Sequence, residues 1–348
     1  MPKSVLRKTL EGFQPYVPGE QPPDGEGWVK LNTNESPLPP SPKVIEAIRN
    51  AANDSLRLYP SPTAAPAREA IARKFGLEPA QVIVGNGGDE LIELCFRAFA
   101  GASDHVAYPT PTYPLLEPLS RIHEVVPSPH PTELFGELPP SLGPDPAPLK
   151  FVVNPNSPTG ALFDLDAVEA VIAASTGIVA VDEAYVDFAP RSALGLLNSH
   201  DNVVLLRTFS KSYGLAGLRI GYALGPREVI EALDAVKDSY NVDRLAIAAA
   251  VAAIEDEAHH RMLVDEVVRN RSELEMALAG LGFEVAPSAT NFVFARPPKP
   301  AIEVVEALRK RRILVRHYDR EPIAGWLRIT VGTRDQDDKL LEALKDIL

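Results

Sequence analysis

Between residues 82 and 224 the chain repeats one pattern: a short β-branched apolar run, a polar cluster, then residues at helical spacing. The apolar runs at 82–84, 105–108, 151–153, 178–181, 203–206 and 220–224 read as strands, and 90–100 and 165–174 read as helices. Strands apolar on both faces and separated by helices bury themselves best in a largely parallel sheet joined by right-handed crossovers. The spacing therefore predicts an α/β large domain: a mostly parallel sheet covered by helices on both faces. Two further helices are expected at 228–237 and, unusually long, from Asp243 to about Gly280. Beyond Gly282 a second, smaller α/β layer follows, with strands at 291–295, 313–316 and 326–331 and helices at 301–312 and 337–348. The stretch 125–150 is proline-heavy and reads as a loop with at most one strand. The expected division is an N-terminal arm (1–30), a large domain (31–265) and a small C-terminal domain (266–348), a comfortable size for 348 residues.

A formal net charge of −12 argues against a nucleic-acid footprint, which needs a basic face. An acidic protein that binds an anion must use local Arg, Lys or helix N-termini, so their placement is informative. The single cysteine, Cys95, allows no intrachain disulfide and no cysteine-based metal site, and no metal is expected. The segment MPKSVLRKTLEGF lacks the apolar core of a signal peptide, and no run approaches the ~18 apolar residues of a membrane span. The composition points to a cytoplasmic protein.

In a sheet of this kind ligands sit beyond the C-terminal strand ends. The 203–206 strand runs into TFSKSYGLAGLRIGY. There Lys211 stands among hydroxyls (Thr208, Ser210) and ahead of Arg219. Desolvation and a nearby cation both favour the neutral amine, which is the nucleophile a Schiff-base lysine needs. Taken alone, Lys211 reads first as a solvated lysine at an ordinary strand-to-loop junction, and only its company changes that. The first strand ends in GNGGD, where backbone N–H groups of Gly87, Gly88 and Asp89 at a helix start would cradle an anion; a tight turn with Asp89 as N-cap accounts for it as well. The 151–153 strand ends in NPNSPTG, whose Asn156 offers a side-chain amide, or simply a proline-rich turn. Asp182 leaves an apolar strand directly, costly unless a cation meets it, although a turn cap is the plain alternative. Tyr185 follows three residues later.

Jointly these groups suit pyridoxal 5′-phosphate. Its aldehyde would take Lys211, its ring nitrogen Asp182, and its phenolate Asn156 and Tyr185. Its phosphate would take Gly88, Asp89, Ser210 and Arg219, and Tyr113, in PTPTYP, could stack on the ring.

The chain resembles the fold-type-I pyridoxal-phosphate aminotransferases, and most closely the histidinol-phosphate aminotransferase family. The motifs LNTNESP, RLYP, GNGGDE, PTPTYP, NPNSPTG, VDEAYVDF, RTFSKSYGLAGLRIGY, NFVF, ILVR and LRITVGT occur in order. It departs at Ser36 and Ser157, where the family often has Asn, and at Gly88, often Ser or Ala. The resemblance implies Lys211 as the cofactor-bearing lysine, with Tyr113 stacked on the ring and Thr208 beside the phosphate. It also implies Tyr59 reaching the phosphate from a neighbouring subunit, hence a homodimer with shared active sites. By the same resemblance Arg328 clamps a carboxylate, Arg316 meets the substrate's far end, and Tyr16 and Asn34 close the pocket. The expected reaction is amino transfer from L-histidinol phosphate to 2-oxoglutarate, in histidine biosynthesis. The alternatives on this scaffold are an aromatic amino-acid aminotransferase and a lyase such as threonine-phosphate decarboxylase.

Overall fold

A computed structural model describes residues 5–23 and 27–348. Strands β1 (Val29–Leu31), β2 (Val82–Gly85), β3 (His105–Thr110), β4 (Val126–Pro131), β5 (Leu149–Val153), β6 (Ile178–Asp182), β7 (Val203–Thr208) and β8 (Gly221–Leu224) lie in the first two thirds of the chain. With them come helices α1 (Pro42–Ala51), α2 (Ala65–Phe75), α3 (Gly88–Phe99), α4 (Leu116–Ile122), α5 (Leu165–Ala174), α6 (Arg227–Val236) and α7 (Arg244–Glu255). The remainder holds α8 (Glu257–Gly280), β9 (Glu284–Val285), β10 (Phe292–Arg296), α9 (Ala301–Lys310), β11 (Ile313–His317), β12 (Leu327–Thr330) and α10 (Arg334–Ile347).

The large sheet runs β2-β8-β7-β6-β5-β3-β4, and only β8 is antiparallel to its neighbours. Successive residues of a strand face opposite sides, and β7 shows both faces in use. Val203 and Leu205 pack with α2, α5 and α7, while Val204 and Leu206 pack with α3, α4 and α6. The apolar runs that define the pattern in sequence are thus buried on both sides.

Strand β4 occupies part of the proline-heavy stretch. It pairs only with β3, at the sheet edge. Its prolines, 127, 129 and 131, alternate with residues on the other parity, and the flanking Val126 and Thr132 send their N–H groups to Asp104 O and Thr110 O, along β3. The missing donors of proline therefore fall on the unpaired side, the place where a strand tolerates them.

The small sheet runs β1-β11-β12-β10-β9 and packs under α8, α9 and α10 through Val267, Leu274, Leu278, Val304, Leu308, Leu340 and Leu344. Its edge strand, β1, comes from 29–31, the end of the stretch read as an arm. The single long helix expected from Asp243 to about Gly280 is two helices, broken at Asp256. The Asp256 carboxylate accepts hydrogen bonds from Ser41 Oγ (2.5 Å) and Lys43 Nζ (2.9 Å) at the start of α1, which draws its backbone out of the helix (φ −95°, ψ 64°). Among the described residues no helix is long and apolar enough to cross a membrane.

Candidate active site

Strands β2, β5, β6 and β7 all deliver their C-terminal ends to one side of the large sheet. A cavity of about 450 Å³ lies there, roofed by the 16–21 segment and by arginines of the small sheet. Its wall includes Tyr16, Asn34, Gly88, Asp89, Tyr113, Asp182, Tyr185, Thr208, Ser210, Lys211, Arg219, Arg316 and Arg328. Most of the residues singled out in the sequence therefore converge, although they span three hundred positions. Gly87, Asn156 and Tyr59 are not on that wall.

Lys211 follows β7 through a turn in which Thr208 Oγ1 accepts from the Ser210 backbone N–H at 3.0 Å. Its Nζ lies 3.4 Å from the Thr33 carbonyl and 5.8 Å from the Tyr185 ring centre. Burial, reinforced by the charges of Arg328 and Arg219 against the opposing pull of Glu35 and Asp89, lowers its ammonium to about 8. Asp182 ends β6 and is 7% exposed. Burial pushes its carboxyl up to about 7; the Ala184 N–H at 3.0 Å pulls the other way, and Asp89 and Glu183 add to the rise. Among the described residues no ion pair neutralises it. A buried carboxylate without a counter-cation, on a cavity wall, fits the protonated ring nitrogen of pyridoxal 5′-phosphate.

The phosphate end fits too. Helix α3 begins at Gly88, with Gly87 as its N-cap at φ +90°, so Asp89 lies in the first turn rather than at the cap. A Cβ at Gly87 would come within 2.7 Å of Arg219 Nη2, so only glycine lets the guanidinium lie against this turn. Arg219 Nη2 reaches Asp89 Oδ2 at 3.2 Å, and the Tyr113 hydroxyl reaches Asp89 Oδ1 at 3.1 Å. The carboxylate of Asp89 thus serves Arg219 and Tyr113, and only its backbone N–H is suited to an anion. Thr208 and Ser210 supply hydroxyls, and Arg219 Nη1 lies 3.5 Å from Ser210 Oγ.

The phenolate side differs from expectation. The Asn156 amide nitrogen donates to Pro111 O (3.0 Å) and Thr159 Oγ1 (2.8 Å), and its oxygen accepts from Thr112 Oγ1 at 3.2 Å. Its side chain is spent on holding the loop. Ser157, the next residue, takes the wall position instead. Its hydroxyl lies near the Tyr185 phenol and accepts from Arg328 Nη1 at 3.4 Å. Sequence reasoning passed over Ser157 because a serine before proline reads as turn chemistry; the path of the loop, not a periodicity, decides which side chain of NPNSPTG faces inward. Burial raises the Tyr185 phenol, and Arg328 partly offsets this. Asn34, left-handed at φ +54°, donates its amide to Tyr185 Oη at 2.9 Å, so it orients the phenol.

Arg316 and Arg328 are cross-strand partners on β11 and β12. Like charges placed opposite each other destabilise a sheet, unless an anion comes between them. Arg328 is 8% exposed and has no carboxylate partner among the described residues. Its Nη2 donates to Asn32 O at 3.0 Å, and its guanidinium lies 5.4 Å from the Phe292 ring centre. Arg316 donates to Val17 O (2.8 Å) and Pro18 O (3.2 Å), which ties it to the N-terminal segment. Tyr16, from the same segment, meets Tyr113 edge-on at 6.0 Å. A carboxylate that the sequence did not single out, Glu35, also lines the cavity, paired with Lys30 at 2.6 Å.

The family described as aminotransferase class I and II matches residues 26–344. A histidinol-phosphate aminotransferase of Bradyrhizobium diazoefficiens is 46% identical over 341 residues, covering 97% of each chain. The crystal structure of the Sinorhizobium meliloti histidinol-phosphate aminotransferase in complex with pyridoxal 5′-phosphate superposes with a TM-score of 0.85 at 31% identity, covering 91% of this chain and 90% of that one. The L-threonine-O-3-phosphate decarboxylase of Porphyromonas gingivalis shares the fold at a TM-score of 0.78 and 25% identity, over 91% of this chain and 98% of that one. The chain belongs to the histidinol-phosphate aminotransferase family, within the class I and II aminotransferases.

Proposed function

We propose that this protein uses pyridoxal 5′-phosphate to move an amino group from L-histidinol phosphate to 2-oxoglutarate. The observation that carries the choice of substrates is the opposed pair Arg316 and Arg328 above Lys211. One substrate presents a phosphate and the other carboxylates, and a planar guanidinium receives either. When bound, the cofactor supplies an aldehyde for the amino group and a protonated ring that accepts negative charge from the substrate carbon. Lys211, substantially neutral near pH 8, holds the aldehyde and then moves a proton at the substrate carbon as base and acid. Asp182 keeps the ring nitrogen protonated. Tyr185 and Ser157 donate hydrogen bonds on the phenolate side. Gly88 N–H, Thr208, Ser210 and Arg219 hold the phosphate. A single-turnover screen with histidinol phosphate, phenylalanine, tyrosine and glutamate tests the reading. Rapid amino transfer from histidinol phosphate and from glutamate is expected; fast phenylalanine turnover with none from histidinol phosphate would overturn the substrate, and release of CO₂ from a phosphorylated amino acid would overturn the reaction class.

We further propose a homodimer with shared sites. Tyr59 is 77% exposed and stacked on Tyr240 (centroids 4.4 Å), and Leu56 and Leu58 beside it are also exposed. Such an apolar cluster is suited to a second copy, whose phosphate Tyr59 would then reach. Mixing inactive Tyr59→Ala and Lys211→Ala proteins should restore up to about a quarter of wild-type activity through hybrid dimers; no recovery after subunit exchange would count against shared sites. A cytoplasmic setting accords with Cys95 standing as a buried free thiol.

A further inference from the structure

Behind the cavity wall stands a cluster that the reaction as described does not use. Asp187 lies two residues beyond Tyr185, in the single 3-10 turn Val186–Phe188. Its Oδ2 accepts a hydrogen bond from Ser212 Oγ, on the residue next to Lys211, and lies 3.4 Å from His260 Nε2. His260 sits near the start of α8, and its ring lies flat on Tyr213, with centroids 4.0 Å apart and planes at 9°. Both residues that follow Lys211 are therefore held from outside their loop, Ser212 by Asp187 and Tyr213 by His260. Ser212 and Tyr213 are buried, at 3% and 4% exposure. Burial alone would raise the Asp187 carboxyl. The close approach of His260, the charge of Arg207 and the Ser212 hydroxyl outweigh it and bring the group down to about 2. Helix α8 grips the same turn again through Arg271, whose Nη1 lies 3.4 Å from Phe188 O and 2.7 Å from Thr290 O.

A lysine side chain has four rotatable bonds, and its loop ends at Gly214 with φ +67°. Nothing in that local sequence fixes where Nζ stands, so the fixing must come from neighbours. We propose that Asp187 is a positioning residue for Lys211, acting through Ser212, and that His260 makes helix α8, which packs on the small sheet, part of the lysine's mount. This rests on Lys211 being the residue that takes the cofactor.

The test is the rate at which added pyridoxal 5′-phosphate attaches to the full-length cofactor-free protein, read from the rise of its visible band. Ser212→Ala should attach about ten-fold more slowly, to the same final amplitude, since small misplacements of a reacting group cost up to about a hundred-fold. Binding of pyridoxamine 5′-phosphate, which cannot attach, should stay within about two-fold of wild type. Asp187→Ala and His260→Ala should slow attachment similarly, and the Ser212→Ala/Asp187→Ala double variant should be no slower than the slower single one, because both changes break one link. Attachment of Ser212→Ala at the wild-type rate would overturn the proposal. So would additive losses in the double variant, or an equal weakening of pyridoxamine 5′-phosphate binding. If Asp187→Ala does not fold, Ser212→Ala decides alone. Failure of the wild-type protein itself to form the band would overturn the assignment of Lys211, and with it this proposal.

Discussion

Lys211→Ala is expected to reduce kcat by about 10⁴-fold, since positioned acid–base catalysis alone contributes about 10²–10⁴-fold and the proposed mechanism takes the nucleophile from the same residue. The groups proposed to hold the phosphate, Arg219 with Ser210 and Thr208, remain in place, so the variant should still bind the cofactor. It should lack the visible band of the lysine-attached form and carry no cofactor after borohydride treatment. A borohydride-fixed adduct on the variant would move the covalent role to another residue. The wild-type amine explains why one lysine suffices. Its ammonium is lowered to about 8 chiefly by burial and by Arg328, so a useful fraction is neutral at physiological pH where an exposed lysine would be almost wholly charged.

Asp182→Asn is expected to bind the cofactor yet lose about 10²–10³-fold in kcat, because an amide cannot keep the ring nitrogen protonated. Near-wild-type kcat would refute that role. The same change should act on stability in the opposite direction. In the ligand-free fold the Asp182 carboxyl is raised from 3.8 to about 7, first by burial and then by Asp89 and Glu183. Its contribution to stability is complete below about pH 4 and is lost as pH rises through 7, since the unfolded chain releases the proton first. A shift of about three units corresponds to at most about 4 kcal/mol. At pH 8 the ligand-free Asp182→Asn variant should therefore melt above wild type, by a margin that closes as pH falls toward 4. Thermal scans at pH 5 and pH 8 check this; an equal margin at both would show that the carboxyl is not the source. A residue whose replacement stabilises the fold and disables the reaction is held in place by function.

Much of this was legible in sequence, for identifiable reasons. Strands buried on both faces must be continuously apolar, so β6 and β7 announce themselves, and the polar residues that end them mark the ligand edge. That logic reaches Asp182, Thr208, Ser210 and Lys211. It fails where position depends on a loop's path rather than on a period. Asn156 and Ser157 are neighbours in one proline-rich turn, and the backbone faces one into the loop and the other into the cavity. It fails again where a distant partner overrides local preference: residues 243–280 are helical in pattern throughout, and the break at Asp256 comes from Ser41 and Lys43, more than two hundred positions earlier. The strand at 29–31 is too short to show any period, and only its partner β11 makes it part of a sheet.

The prolines of β4 bear on how two copies can meet. A sheet edge with free donors invites another strand, and many assemblies form by such extension. Here the outward donors at positions 127, 129 and 131 do not exist. On that side the large sheet cannot be continued from one molecule into the next. The contact proposed through Tyr59 and Tyr240 uses side chains instead, and so would leave the ladder of the large sheet, and with it the alignment of Asp182 and Lys211, untouched.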